Sequence, residues 1–221
     1  VGDIFDEVAE DLRTERALKL ARRYGGWLLA ACLAVLLGVA GQQIYIWYQA
    51  KQNQEAAGAY ITISGPIEAA AGTLSAADAV KDASALTNFA ATAPEGYKTI
   101  ANLRAAALYV DAGQPAQAQA LWDGVANDSS AEPLLRDLAT LLWCESATGS
   151  APDATVLARL HPLTADGNPY HGLAREDQAL IYLAQGQTGL AKALLTQLAA
   201  DPDAPDGVRN RADGLLTKLN G

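Results

Sequence analysis

Two stretches decide how this chain folds: Ala106–Trp122, AALYVDAGQPAQAQALW, and Ala179–Leu195, ALIYLAQGQTGLAKALL. They lie 73 residues apart, and the match extends without a gap over 101–142 and 174–215. Ala106, Tyr109, Gly113, Ala118 and Leu121 face Ala179, Tyr182, Gly186, Ala191 and Leu194; Tyr97 faces Tyr170 and Gln114 faces Gln187. Because 73 is about twice 36, a further unit is expected between them. Gly149, Ala154 and Ala158 fall at the required offsets there, with Glu145 where the tyrosine is due. Upstream, Ala83 keeps the register although the glycine is lost. The alanine anchors Ala83, Ala118, Ala154 and Ala191 then step by 35, 36 and 37 residues. A period of this size belongs to a solenoid of stacked helix pairs.

Each clear unit runs small residue, Tyr, Gly, Ala and a large apolar residue: Ala106, Tyr109, Gly113, Ala118, Trp122, and again Ala179, Tyr182, Gly186, Ala191, Leu195. This spacing resembles the tetratricopeptide repeat. The small residues let the two helices of a pair approach closely, glycine allows the sharp turn between them, and the large residues fill the gap to the next pair. Helices are expected at 52–71, 76–92, 96–112, 115–127, 131–147, 152–164, 170–186, 188–200 and 205–220, with Pro133, Pro169 and Pro205 opening the helices that follow them. A kink is expected at Gly65-Pro66. Composition agrees, since 47 of the 221 residues are Ala and only 6% are aromatic. The expected fold class is all-α: an N-terminal amphipathic helix, one transmembrane helix, then about four helix pairs.

The membrane helix is read from Tyr24–Ala50, 27 residues without a charge. Its apolar part, Gly25 to Tyr48, would span about 36 Å as a helix and cross a hydrocarbon core of ~30 Å with some tilt. Tyr24 and Trp27 mark one interface, and Tyr45, Trp47 and Tyr48 the other. Arg13, Arg16, Lys19, Arg22 and Arg23 precede the segment, whereas only Lys51 follows it before Lys81. The positive flank places residues 1–23 in the cytoplasm and residues 51–221 in the periplasm, with 24–50 as a signal anchor. A cleaved signal peptide ending near Gly38-Val39-Ala40 fits less well, because the leading region is too long and too acidic. Ala34, Gly38 and Gly41 give the helix a small-residue face that a partner helix could approach, with Ala30 and Ala31 nearby. Ahead of it, residues 3–23 read as an amphipathic helix with Asp3 as N-cap and Ile4, Val8 and Leu12 on one face.

Charge and motifs remove several function classes. A net charge of -9 argues against nucleic-acid binding, which needs basic clusters. From Lys51 onward, 19 acidic residues stand against 11 basic ones. His161 and His171 have too few companions for a metal site, and Cys32 and Cys144 have no C-x-x-C partner; Cys144 is expected as a small buried residue. No nucleophile elbow, phosphate loop or paired-acid signature is present in the sequence. Neither cofactor nor small-molecule substrate is therefore expected, nor any catalytic residue. Trp122, Trp143, Tyr109 and Tyr182 sit at helical core positions and are expected to pack.

The whole plan resembles a known family. Asp3-Ile4-Phe5-Asp6-Glu7-Val8, Arg22-Arg23-Tyr24-Gly25, Ala93-Pro94-Glu95-Gly96-Tyr97, Pro133-Leu134-Leu135-Arg136-Asp137-Leu138 and Gly167-Asn168-Pro169-Tyr170 look like the alphaproteobacterial branch of the single-span tetratricopeptide-like proteins that include the ancillary subunit of the SecYEG translocon. The resemblance implies a non-catalytic adaptor in the bacterial inner membrane, working beside the translocon and periplasmic chaperones. The alternative is a structural accessory subunit or assembly scaffold of another inner-membrane complex, respiratory or photosynthetic, docked through its membrane helix. Self-association is compatible with either.

Overall fold

The computed structural model describes the backbone of residues 3–70 and 72–220 and the side chains of residues 22–220, positions 25, 28 and 71 excepted. Among the described residues it is all-α: α1 (Asp3–Ala69), α2 (Ala76–Ala90), α3 (Glu95–Asp111), α4 (Pro115–Ala126), α5 (Pro133–Ala147), α6 (Asp153–Leu160), a 3-10 turn (His161–Thr164), α7 (His171–Ala184), α8 (Thr188–Ala199) and α9 (Asp206–Asn220). The chain divides into two compact units, Val1–Gln54 and Glu55–Gly221.

In the first unit α1 contains the one helix, among the described residues, that is long and apolar enough to cross a membrane. Its apolar side chains are exposed throughout, from Trp27, 80% exposed, to Trp47 and Tyr48. The expected cap at Asp3 and apolar face at Ile4, Val8 and Leu12 lie outside the described side chains.

The second unit is built from overlapping cores. Ile67 of α1, Ala83 and Leu86 of α2, and Ala101, Ala105 and Leu108 of α3 close the first. Ala106 of α3, Ala118 and Trp122 of α4, and Ala139 of α5 close the next. Leu141 and Cys144 of α5, Val156 and Leu160 of α6, and Ala174 and Ile181 of α7 form the third; Ala179, Leu195, Leu198, Val208 and Ala212 of α7, α8 and α9 form the fourth. Each core is thus one helix pair plus the first helix of the next pair, the stacking expected of a helical repeat. Ala56, Ser64 and Ile67 face inward although Pro66, inside α1, offers no N–H to the preceding turn.

The repeat glycines show why the spacing works. Gly113 and Gly186 have φ of 73° and 72°, a left-handed conformation that L side chains enter only at a cost. After each, Gln114 N bonds to Tyr109 O at 2.7 Å and Gln187 N to Tyr182 O at 2.8 Å, while Gly113 N bonds to Val110 O and Gly186 N to Leu183 O. That pair of bonds is a Schellman motif. The next helix starts at once, at Pro115 and Thr188.

The third unit departs from this pattern. Thr148 (φ -59°, ψ 125°) and Gly149 (φ 81°), closed by Ser150 N to Ala147 O at 2.9 Å, make a type II turn. Pro152 then caps α6, which begins only at Asp153. The delay moves the buried pair two residues along: Val156 and Leu160 are fully buried, while Ala154 and Ala158 are exposed. Ala154 is therefore not the anchor of this unit, contrary to the sequence expectation. Pro162 sits in the 3-10 turn that follows α6, so the helix expected over 152–164 is split. Of the three helix-opening prolines, Pro133 occupies the first turn of α5, Pro205 immediately precedes α9, and Pro169 lies in a turn two residues ahead of α7.

Candidate interaction surface

Ala106, Ala118, Ala179, Ala191 and Leu195 are fully buried, and Trp122 is 4% exposed. Tyr109 and Tyr182 are half-buried; Tyr109 belongs to two adjacent cores and its hydroxyl reaches Ser84 Oγ at 3.4 Å. These repeat residues hold the stack together, and the surface they create lies beside them. One pocket, of about 640 Å³, opens between α3, α4 and α5. Val110, Pro115 and Leu142 give it apolar walls, Trp122 stands in the same lining, and Asp111 and Glu145 contribute carboxylates. Adjoining it, Arg104 of α3 lines a second pocket of about 410 Å³ with Ile67 and Leu74; Ala107 and Asp111 are common to both.

Between α5, α7 and α9 the acidic side chains Glu145, Glu176 and Asp177 lie close enough for their charges to interact. Arg211 of α9 grips Glu176 of α7 in a fork, Nε to Oε1 at 2.6 Å and Nη2 to Oε2 at 2.5 Å, around a carboxylate that is 6% exposed. Asp177 beside it has a buried Oδ2 without a partner among the described residues. Burial pushes its carboxyl up to about 7, helped by the charges of Glu145 and Glu176 and opposed by Arg211.

Trp143 packs as expected, with Arg159 stacked 3.8 Å from its ring centre and paired to Asp123 at 2.7 Å. Cys144 is fully buried, its thiol pushed up to about 12 by desolvation and therefore inert. His161 is exposed, and His171 is buried with Nε2 3.0 Å from Asp201 and Nδ1 2.7 Å from Asn168 O. Both nitrogens are engaged by protein, which accounts for His171 without a metal.

Three of the segments that carry the family resemblance, at Glu95, Asp137 and Asn168, turn out to join neighbouring units. Asn168 Nδ2 donates to Asp137 of α5 at 2.8 Å, and Glu95 at the head of α3 accepts from Ser130 Oγ at 2.7 Å in the α4–α5 loop. Lys98 adds an ion pair to Asp128 at 2.8 Å, and that carboxyl is held below the usual range first by this bond and then by Ser130.

In the first unit the aromatic residues expected at the interfaces flank the apolar stretch. Arg23 lies 5.8 Å from the Tyr24 ring and Lys51 5.9 Å from the Trp47 ring, and Gln49 donates to Tyr45 Oη at 2.7 Å. Tyr48 is exposed with them. Gly38 and Gly41 have nothing within 4 Å of a would-be Cβ, and Ala34 beside them is exposed.

Sequence reasoning found the packing residues and missed those lining the pockets, Arg104, Val110, Leu142 and Glu145 among them. No curated protein and no solved structure matches the chain. A tetratricopeptide repeat-like domain model matches residues 21–210, covering every helix pair described above. With paired helices, Schellman turns at the repeat glycines and that match along most of its length, the chain belongs to the tetratricopeptide repeat-like domain family.

Proposed function

We propose that this protein is a non-catalytic, membrane-anchored adaptor of the bacterial inner membrane. Residues 24–50 cross the bilayer, residues 1–23 lie on the cytoplasmic side, and residues 51–221 form a periplasmic domain that binds segments of other proteins. The observation that carries this reading is the open pocket between α3, α4 and α5, with its apolar lining, in a repeat fold of the kind that serves protein interaction. The asymmetry of Lys and Arg around the apolar stretch supports the orientation. The likeness of its signature segments to the translocon-associated family supports the Sec translocon and periplasmic chaperones as its working partners.

Photo-crosslinkers placed at Val110 and Leu142 of the full-length chain in native membranes test this reading. The expected products are translocon subunits, periplasmic chaperones or secreted chains. Crosslinks that never include any of these would sink the Sec assignment.

A second reading rests on the open small-residue face at Ala34, Gly38 and Gly41. There the chain is an accessory subunit of another membrane complex, held by helix packing. Gly38→Leu or Gly41→Leu would then release it from a partner recovered in fixed stoichiometry, while leaving crosslinks from Val110 unchanged would favour the adaptor.

A further inference from the structure

The walls of the α3–α4–α5 pocket narrow the kind of segment it takes. Val110, Pro115 and Leu142 present apolar surface, so a large apolar side chain gains most by entering. Trp122 stands in the same wall, 4% exposed, and its indole N–H has no acceptor among the described residues. A buried donor without a partner carries a free-energy penalty.

The charges around the pocket select further. Asp111 reaches it from α3 and Glu145 from α5, and both are exposed. Beyond Glu145 stands Glu176 of α7, close enough for its charge to act on Glu145 and, with it, on Asp177. Arg211, the cation in this group, has Nε and Nη2 committed to Glu176. Arg104 lies across Ala107, in the adjoining pocket. The acidic excess of the chain from Lys51 onward, 19 residues against 11, extends the same sign over longer range.

We propose that this pocket binds an extended protein segment in which a large apolar residue stands next to Lys or Arg. The apolar side chain enters between Val110 and Leu142, and the cation lies against Asp111 and Glu145. This rests on the adaptor reading and gives the chemistry of its ligand.

The test uses the full-length chain in nanodiscs of zwitterionic lipid, with empty nanodiscs as blank, and three fluorescent peptides read by anisotropy. One carries a single Leu flanked by Lys, the second replaces Lys by Glu, and the third replaces Leu by Ala. The Lys–Leu peptide is expected to bind about ten-fold tighter than the Glu peptide, the scale that two partly exposed charge pairs supply, and added salt should narrow the gap. The Ala peptide is expected to lose about ten-fold, as burial of a Leu side chain implies. The double variant Asp111→Asn, Glu145→Gln should bring the Lys and Glu peptides within about two-fold of each other, in a chain whose thermal midpoint has not fallen.

Equal affinities, a preference for the Glu peptide, no binding by any peptide, or a gap that survives in the double variant would each overturn the proposal. Crosslinks from Val110 that reach translocon or chaperone partners, with no preference for Lys, would remove this ligand class and leave the adaptor standing. Loss of both removes the adaptor as well.

Discussion

Asn168, in the turn before α7, joins two segments 31 residues apart: its Nδ2 donates to Asp137 Oδ2 on α5 at 2.8 Å, while its Oδ1 accepts from Tyr170 N at 2.8 Å. One side chain thus shapes the turn and fixes it to the preceding helix pair. Asn168→Ala removes both bonds from a half-buried position and is expected to cost about 1–2 kcal/mol in denaturant unfolding of the full-length chain. Asp137→Asn keeps an acceptor oxygen and should cost less.

The repeat glycines separate conformational from steric effects. Gly113 and Gly186 have positive φ but open space around a would-be Cβ. Ala at either position is therefore expected to lose about 1–2 kcal/mol through backbone strain alone, and Asn to lose less. Gly124 inside α4 also has open space, and its φ lies outside the left-handed range. Gly124→Ala should gain about 0.5–1 kcal/mol, so thermal midpoints of the three Ala variants should move in opposite directions.

Asp177 predicts a pH dependence of stability. Its carboxyl is raised from 3.8 to about 7 by burial, with Glu145 and Glu176 adding to the shift, Arg211 opposing it, and Cys144 packed nearby as a neutral thiol. The folded chain therefore keeps a proton that the unfolded chain releases. The stabilising contribution is whole below about pH 4 and is lost as pH rises toward about 7. Asp177→Asn removes this slope, so the variant should gain on the parent between about pH 5 and about pH 8, read as the difference in their melting temperatures.

The fork between Arg211 and Glu176 ties α9 to α7. Arg211→Ala leaves a nearly buried carboxylate without its partner. Because the arginine itself is 55% exposed, the expected loss is about 1–2 kcal/mol rather than that of a fully buried pair. Adding Glu176→Gln to that variant should restore part of the loss, which a double-mutant cycle would read.

The helices were readable because Pro and Gly punctuate them: Pro115 and Pro133 open α4 and α5 at the expected positions, and Gly113 and Gly186 close α3 and α7 where the spacing put them. Gly149 looked the same in the sequence, yet Ser150-Ala151-Pro152 follows it where a single Gln follows the others. That longer connection delays α6 and replaces Ala154 by Val156 in the core. The pocket was harder to foresee, because Val110, Trp122 and Leu142 come from three helices and meet only when the pairs stack. Arg104 and Asp111 fall between the repeat positions, so periodicity alone gives them no distinction, and Glu145 stands out only as the residue in the tyrosine's place.

Each core borrows a helix from the unit that follows, which imposes an order on synthesis. While the chain emerges from the ribosome, α1 and α2 meet before α3 exists, and their apolar faces wait for it; the same delay recurs with α5, α7 and α9. Every newly made pair therefore spends an interval one layer short, exposed to chaperones or to misassociation. The final interval ends when Val208 and Ala212 of α9 settle over Leu195 and Leu198. Its maturation is therefore paced by the way its layers are shared, each apolar face being complete only once the following helix has arrived.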